Sequence, residues 1–305
     1  MNWINAFEIL CYAITVVFLV DVIRRRDRNE LWLFISAAIA GFALELLAVR
    51  VTDIYHYSRD FYISIGFEPY QFPFFGGLMW GGLTVYSLRL ARKLRLSVFL
   101  TALVSGWLIV TMDLFLDVVA IRLNGGFWVW DGRTITFDIT HHMFMSVIWV
   151  NFLGYMFETP AMIYISERTR ERRAGLVRWK QLLASIGIAV CGIAFVAISS
   201  GVSLLLNGVT DEWFSCIAFI IVWLFVFAVL LRALLSGHLR FQKPSEWDWP
   251  VLLYWLAMYG FCIAALLHLN IAGEKPMYFI TGILLGTGTL VLCIIRDSEA
   301  ESPKA

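Results

Sequence analysis

Nine stretches of about twenty apolar residues recur along this chain, and they limit its fold more than any motif does. They lie near 4–23, 31–51, 72–91, 97–121, 143–165, 181–206, 214–235, 249–271 and 277–295. A helix needs about 20 such residues to cross some 30 Å of hydrocarbon. Inside lipid the backbone must satisfy its own hydrogen bonds, which leaves helices and closed barrels, and runs of this length read as helices. Apolar residues make up 60% of the chain and charged ones 15%, against about 25% charged in soluble domains. The expected fold is an all-α, polytopic transmembrane helical bundle of about eight or nine spans. One transmembrane domain would cover 1–296, leaving a short tail at 297–305. The first stretch reads as an anchor and not a cleaved signal peptide, because Arg24, Arg25 and Arg26 follow it where a small-residue cleavage site would stand.

Lysine and arginine alternate between connections. Arg24 to Arg28, Arg92 to Arg95, Arg168 to Lys180, and Arg240 with Lys243 fall in the odd-numbered connections. The even ones hold only Arg59, Arg122, Arg133 and Lys275. By the positive-inside rule, the N-terminus is expected outside and the tail "RDSEAESPKA" in the cytoplasm, in a cell membrane, the cytoplasmic membrane of a bacterium. The net charge of +1 gives no basis for a nucleic-acid partner. Cys11, Cys191, Cys216, Cys262 and Cys293 all fall in apolar runs with no CxxC spacing, so neither a disulfide framework nor a cysteine zinc site is expected.

This orientation gathers polar residues on one membrane face. His56, His141, His142 and His268 share it, and only His238 lies on the basic side. Glu45 lies in the outer part of the second span, and Asp113 and Asp117 lie four residues apart, on one helix face. An ionisable residue at the helix centre costs about 2.5–3.5 kcal/mol on insertion scales, which points to a polar pocket. The competing reading is that these acids bond to neighbouring helices, or to Arg50 and Arg122, and only fix packing. Tyr55, Tyr57, Tyr62, Trp128 and Trp130 are either interfacial anchors or the rim of that pocket. Gly125 and Gly126 suggest a turn that lays the two tryptophans over something. His141 and His142, read as a helix start, would point about 100° apart, leaving one solvated. Asn151 either bridges helices or lines the pocket, and Glu158 would be satisfied by backbone groups freed at Pro160. In the packing half, 180–296, "AISSGVSLL" (197–205) and "TGILLGTGTL" (281–290) read as close-packing faces.

The stretches "ELLAVRVTDIYHYSRDFYISIGFEPYQFPFFGGLMW" (45–80), "DLFLDVVAIRLNGGFWVWDG" (113–132) and "VIWVNFLGYMF" (147–157) together resemble an integral-membrane carotenoid biosynthesis family that includes hydratases of acyclic carotenoids. Its pattern runs from a membrane Glu to Y-x-Y, then a proline and a tryptophan, then D-x-x-x-D, G-F/W-x-W and N-F-x-G-W/Y. Here it falls on Glu45, Tyr55, Tyr57, Pro73, Trp80, Asp113, Asp117, Gly126, Trp128, Trp130, Asn151, Phe152 and Gly154. The sequence departs from it at "LLAVRVTD", where glycines are expected, at Val118 in place of a proline, and at "THH" in place of a short turn. The resemblance covers roughly 40–160, within a family-like part at 1–166.

The resemblance implies addition of water to a terminal double bond of a lipophilic polyene or other isoprenoid. Such a reaction needs a proton donor, stabilisation of a tertiary cation, and a held water. A carboxyl group in a low-dielectric pocket stays protonated and able to donate; Asp113 or Asp117 suits that role, with the partner acid or His142 orienting the attacking water as base, and Glu45 is a further candidate catalytic residue. Aromatic faces stabilise cations by about 0.5–2 kcal/mol, and Tyr55, Tyr57, Trp80, Trp128, Trp130 and Asn151 are the candidate substrate contacts. No cofactor is expected, since no nucleotide-binding or haem motif is present. Two alternatives stay open. One is a metal-dependent lipid hydrolase using His56, His141, His142 and His268. The other is a non-enzymatic transporter or scaffold, although no internal repeat is evident. The oligomeric state is open.

Overall fold

The computed structural model describes residues 2–51, 55–130, 134–236 and 238–297. Arg133, Thr52, Asp53 and the tail from 298 onward lie outside the described residues. The long helices are α1 (Trp3–Arg25), α2 (Arg28–Val51), α3 (Phe74–Arg92), α4 (Val98–Ala120), α5 (Trp149–Ala174), α6 (Arg178–Thr210), α7 (Trp213–Leu234) and α8 (Trp249–His268), followed by the one-turn α9 (Ile271–Glu274) and α10 (Pro276–Ile294). Each of the nine expected stretches thus contains a helix. Seven are long and apolar enough to cross a membrane. The other two, α3 and α5, are 19 and 26 residues long but more polar, α5 through a charged last third from Glu167 to Arg173. The protein is an all-α, multi-pass membrane bundle.

Short strands connect the helices: β1 (Tyr55–Tyr57), β2 (Ser64–Ile65), β3 (Phe72–Pro73), β4 (Trp128–Trp130), β5 (Met143–Phe144), β6 (Val147–Ile148), β7 (Leu239–Phe241) and β8 (Ile295–Asp297). They pair in twos, and the pair that matters most here is β1 with β4, antiparallel.

Burial shows which helix is central. The most apolar stretch of α4 is 78% buried, against 22% for α6 and 28% for α7 and α10, so α4 is surrounded by protein while the others expose an apolar face. Small residues let α10 approach: a side chain at Gly282 would meet Phe115, and one at Gly286 would meet Tyr259. Gly201, in the other expected packing stretch, faces open space. The arginine-rich end is tied by ion pairs. Arg89 reaches Asp21 and Glu30, each at 2.6 Å, Arg25 reaches Asp248 at 2.8 Å, and Arg92 reaches Glu167 at 2.7 Å. At the opposite end, buried Glu8 of α1 accepts from the backbone N–H groups of Tyr62 and Ile63 at 2.6 and 2.9 Å, anchoring the loop after β1.

One boundary departs from expectation. The fifth stretch does not begin as a helix at 143; β5 and β6 form a hairpin there, turning through Met145 and Ser146 at φ 48° and 71°, and α5 starts at Trp149. The apolar residues of 143–148 gave no sign of this, because periodicity cannot separate a short strand from a helix start.

Candidate active site

Pairing of β1 with β4 sets Tyr55 opposite Trp130 and Tyr57 opposite Trp128, with His56 and Val129 between them. Side chains alternate across a strand, so the two tyrosines and two tryptophans share one face and His56 takes the other. The turn into β4 needs left-handed backbone: Asn124, Gly125 and Gly126 have φ 51°, 82° and 105°. A side chain at Gly126 would also crowd the Trp128 carbonyl at 2.9 Å. The aromatic face roofs a cavity of about 100 Å³ among α2, α3, α4 and α5. This would hold a few waters or one end of a chain-like substrate.

Glu45, Asp113 and Asp117 line this cavity together with Tyr55, Tyr57, Trp80, Trp128, Trp130 and Asn151. Most of the remaining lining is apolar, including Phe7, Phe72, Phe75, Met112, Leu116 and Met258. Glu45 is held by phenols. Tyr57 donates to its Oε2 at 2.6 Å and Tyr55 at 3.4 Å, while Tyr155 donates to Oε1 at 3.2 Å. The Tyr55 and Tyr57 hydroxyls are 2.8 Å apart. Burial, and after it the Glu45 carboxylate, push both phenols well above the ordinary tyrosine range, so both remain O–H donors. Asp117 accepts from the Asn151 amide at 2.9 Å. Asp113 differs: its Oδ2 is buried with no hydrogen-bond partner among the described residues.

The expected arginine partners do not reach these acids. Arg50 donates to the Leu46 carbonyl at 3.1 Å. Arg122 donates to the carbonyls of Val118, Thr136 and Met145 and lies 4.6 Å over the Phe137 ring; burial lowers its pKa to about 10. Nor does backbone satisfy Glu158, which is fully buried with neither carboxyl oxygen partnered among the described residues. Pro160 removes an N–H and frees only a carbonyl, which a carboxylate cannot use as a donor.

The four histidines weighed as metal ligands lie at three separate places. His56 is on the far side of the ladder, and His268 packs on Trp3 at 5.0 Å. His141 and His142 precede the β5–β6 hairpin and are not a helix start; their rings are 3.8 Å apart instead of splayed. Both dock on the α6–α7 turn. His141 stacks on Trp213 at 4.5 Å, and His142 Nδ1 is 2.9 Å from Glu212. His142 is therefore not among the cavity's lining residues. Among the described residues no group of three or more His, Cys, Asp or Glu could hold a metal ion.

Sequence reasoning missed Tyr155 and Glu8. Tyr155 could have been found, since it closes the N-F-x-G-Y stretch and lies one turn beyond Asn151 on the same helix face. Glu8 could not, because its partners are backbone groups more than fifty residues away.

The fold and site define a multi-pass helical membrane protein with an acidic, aromatic-roofed chamber at one end of its bundle. A family profile described as Carotenoid biosynthesis protein matches residues 5–222, more than half of the chain, and the chain belongs to that family. Membership gives it a role in carotenoid biosynthesis. The match runs from α1 into α7, well beyond the 40–160 over which the resemblance was legible. No curated protein and no solved structure matches the chain.

Proposed function

We propose that the protein adds water to a terminal double bond of an acyclic carotenoid by acid catalysis. The observation that carries this reading is the contrast inside the chamber: Glu45 is held by three phenols, while Asp113 keeps a buried oxygen without a partner. A carboxyl oxygen with no donor nearby suits a protonated acid. In this scheme Asp113 gives its proton to the inner, less substituted carbon of that double bond, leaving a tertiary cation on the outer, dimethyl-bearing carbon beneath Trp128 and Trp130. Their faces and the Glu45 carboxylate stabilise that charge. Water adds to the cation and passes a proton to Asp117, which returns it to Asp113 across one helical turn, so the net change is one water added. The test is pigment extraction from cells that make the acyclic precursor, with and without this chain. Hydrated product is expected only with it, and identical pigments in both would end the proposal.

The chamber end is proposed to face outward, in the cytoplasmic membrane of a bacterium, because the arginines cluster at the other end. A reporter active only outside the cytoplasm is expected to work when fused near Gly125 or Asp211 and to be silent near Arg172 or Lys243. The reverse pattern would invert the orientation.

A further inference from the structure

Hydration joins an oily reactant to water, and the chamber wall is mostly apolar. The β1–β4 ladder has a second side. On the face taken by His56 and Val129 lies another cavity, of about 450 Å³, also lined by Arg59, Asp60, Gln71 and Asn124. Its lining is the more polar of the two, with few apolar side chains where the chamber has Phe7, Phe72, Phe75 and Met258 beside its acids. The partition is thin. Gln71 lines the outer cavity and Phe72, its neighbour, the inner one, while Tyr57 alone among the described residues lines both.

We infer that the outer cavity is a water-binding vestibule for the chamber and that Tyr57 is the gate between them. The inference rests on the hydration reading for its purpose, but not for its geometry. Tyr57 is shut by two hydroxyl contacts, donating to Glu45 at 2.6 Å and accepting from Tyr55 at 2.8 Å. Its backbone is fixed by the ladder, which continues through the bond from Ser58 N–H to the Phe127 carbonyl at 2.9 Å. The mobile part is therefore the side chain: rotation of the ring away from Glu45 joins the cavities without opening the bundle. Water then reaches the acids through a polar channel, leaving the apolar wall to the polyene. The same hydroxyl that shuts the gate holds Glu45, so water is admitted only when Glu45 is released by one of its donors.

The gate is tested without any activity measurement. Leu116 lines the chamber, and Leu116→Cys puts a thiol there for a charged, water-soluble methanethiosulfonate, with modification followed by peptide mass spectrometry. Tyr57→Phe keeps the ring but loses the contact to Glu45. Losing a hydrogen bond to a charged group frees the ring, so modification is expected to speed up by about tenfold or more. Val129→Trp, which leaves Tyr57 intact and fills the vestibule, is expected to slow it by a similar factor. Buried Cys11, Cys216, Cys262 and Cys293 act as controls in the same molecule, since a loosened fold would expose them too. Equal rates in all three proteins, or faster labelling only together with these cysteines, would overturn the gate. If the labelling pattern holds but no hydrated pigment forms, the vestibule stands and the hydration reading falls.

Discussion

At the arginine-rich end, buried Asp21 and Glu30 each lie 2.6 Å from the Arg89 guanidinium, and Asp248 is shared between Arg25 and Arg89. At the chamber end, Glu45, Asp113 and Asp117 are just as buried, yet their partners among the described residues are phenols, one amide, or nothing. The two ends show two uses of a costly group. A buried acid paired with a fixed cation has its charge settled and serves the packing. A buried acid without a cation, beside a cavity, is free to change protonation, which packing alone does not require. Glu8 shows that the chamber end can also use an acid structurally, and there the partners are two backbone N–H groups.

Taking the transferable proton from one acid of the chamber gives the largest effect this contrast predicts. Asp113→Asn keeps the shape and removes the proton. General acid catalysis contributes about 10²–10⁴-fold, so hydrated product is expected to fall by that factor while the amount of folded protein in the membrane stays unchanged. Full activity in this variant would break the contrast.

At the other end the expected loss is in stability. Arg89→Met removes the cation shared by Asp21 and Glu30, leaving Asp21 with Arg25 at 2.8 Å and Glu30 with only Arg92 at 3.9 Å, and breaking a buried pair of this kind costs about 3–5 kcal/mol. Little folded protein should accumulate, as read by thermal unfolding in detergent. Adding Asp21→Asn and Glu30→Gln to Arg89→Met removes the stranded charges and is expected to restore much of the loss. Failure of that rescue would mean that the network does more than balance charge.

A smaller effect separates donors from charges. Tyr155→Phe removes one donor to Glu45, an interaction worth about 1.5–3 kcal/mol if the carboxylate is ionised. Turnover is expected to fall about tenfold or more, with KM little changed. A neutral result would mean that Glu45 carries no charge to stabilise.

Much of this contrast was legible in the sequence. The apolar stretches, the alternation of arginines and the four-residue step from Asp113 to Asp117 are local patterns, and local patterns survive in one dimension. Y-x-Y and W-x-W marked the aromatics that line the chamber, but the strands that set them on one face were not read from the sequence, although a strand repeats every two residues. The pairing of 55–57 with 128–130 was not legible, since it joins segments separated by two helices, and neither was Arg89 as the common partner of Asp21 and Glu30. His142 shows the same limit: nothing near it in sequence announces Glu212, seventy residues on. The first six residues of the 143–165 stretch were misread, because five apolar residues and one serine do not distinguish a hairpin from a helical turn.

The smallest expected effect bears on whether the aromatic roof belongs to the chemistry or to the membrane interface. Trp128 faces the Tyr57 ring at 6.0 Å, and Trp130 lies closer to Tyr55, at 4.5 Å. If the roof stabilises a cation, Trp128→Phe keeps most of the apolar area but weakens the ring's quadrupole. A cation over an aromatic face gains about 0.5–2 kcal/mol, so turnover should drop several-fold with substrate affinity nearly unchanged, the mark of an interaction made mainly in the transition state. Trp128→Leu should lose more turnover, and the same pair of changes at Trp130 should give a weaker version, since its face is already engaged by Tyr55. An interfacial anchor behaves otherwise: Phe would be neutral at both positions, and Leu would lower the amount of folded protein without touching turnover per molecule. Measuring turnover and folded protein on the same preparations separates the two. Equal, purely abundance-level losses at both tryptophans would remove the roof from the mechanism and leave the unpaired acids as the only feature that sets the chamber end apart.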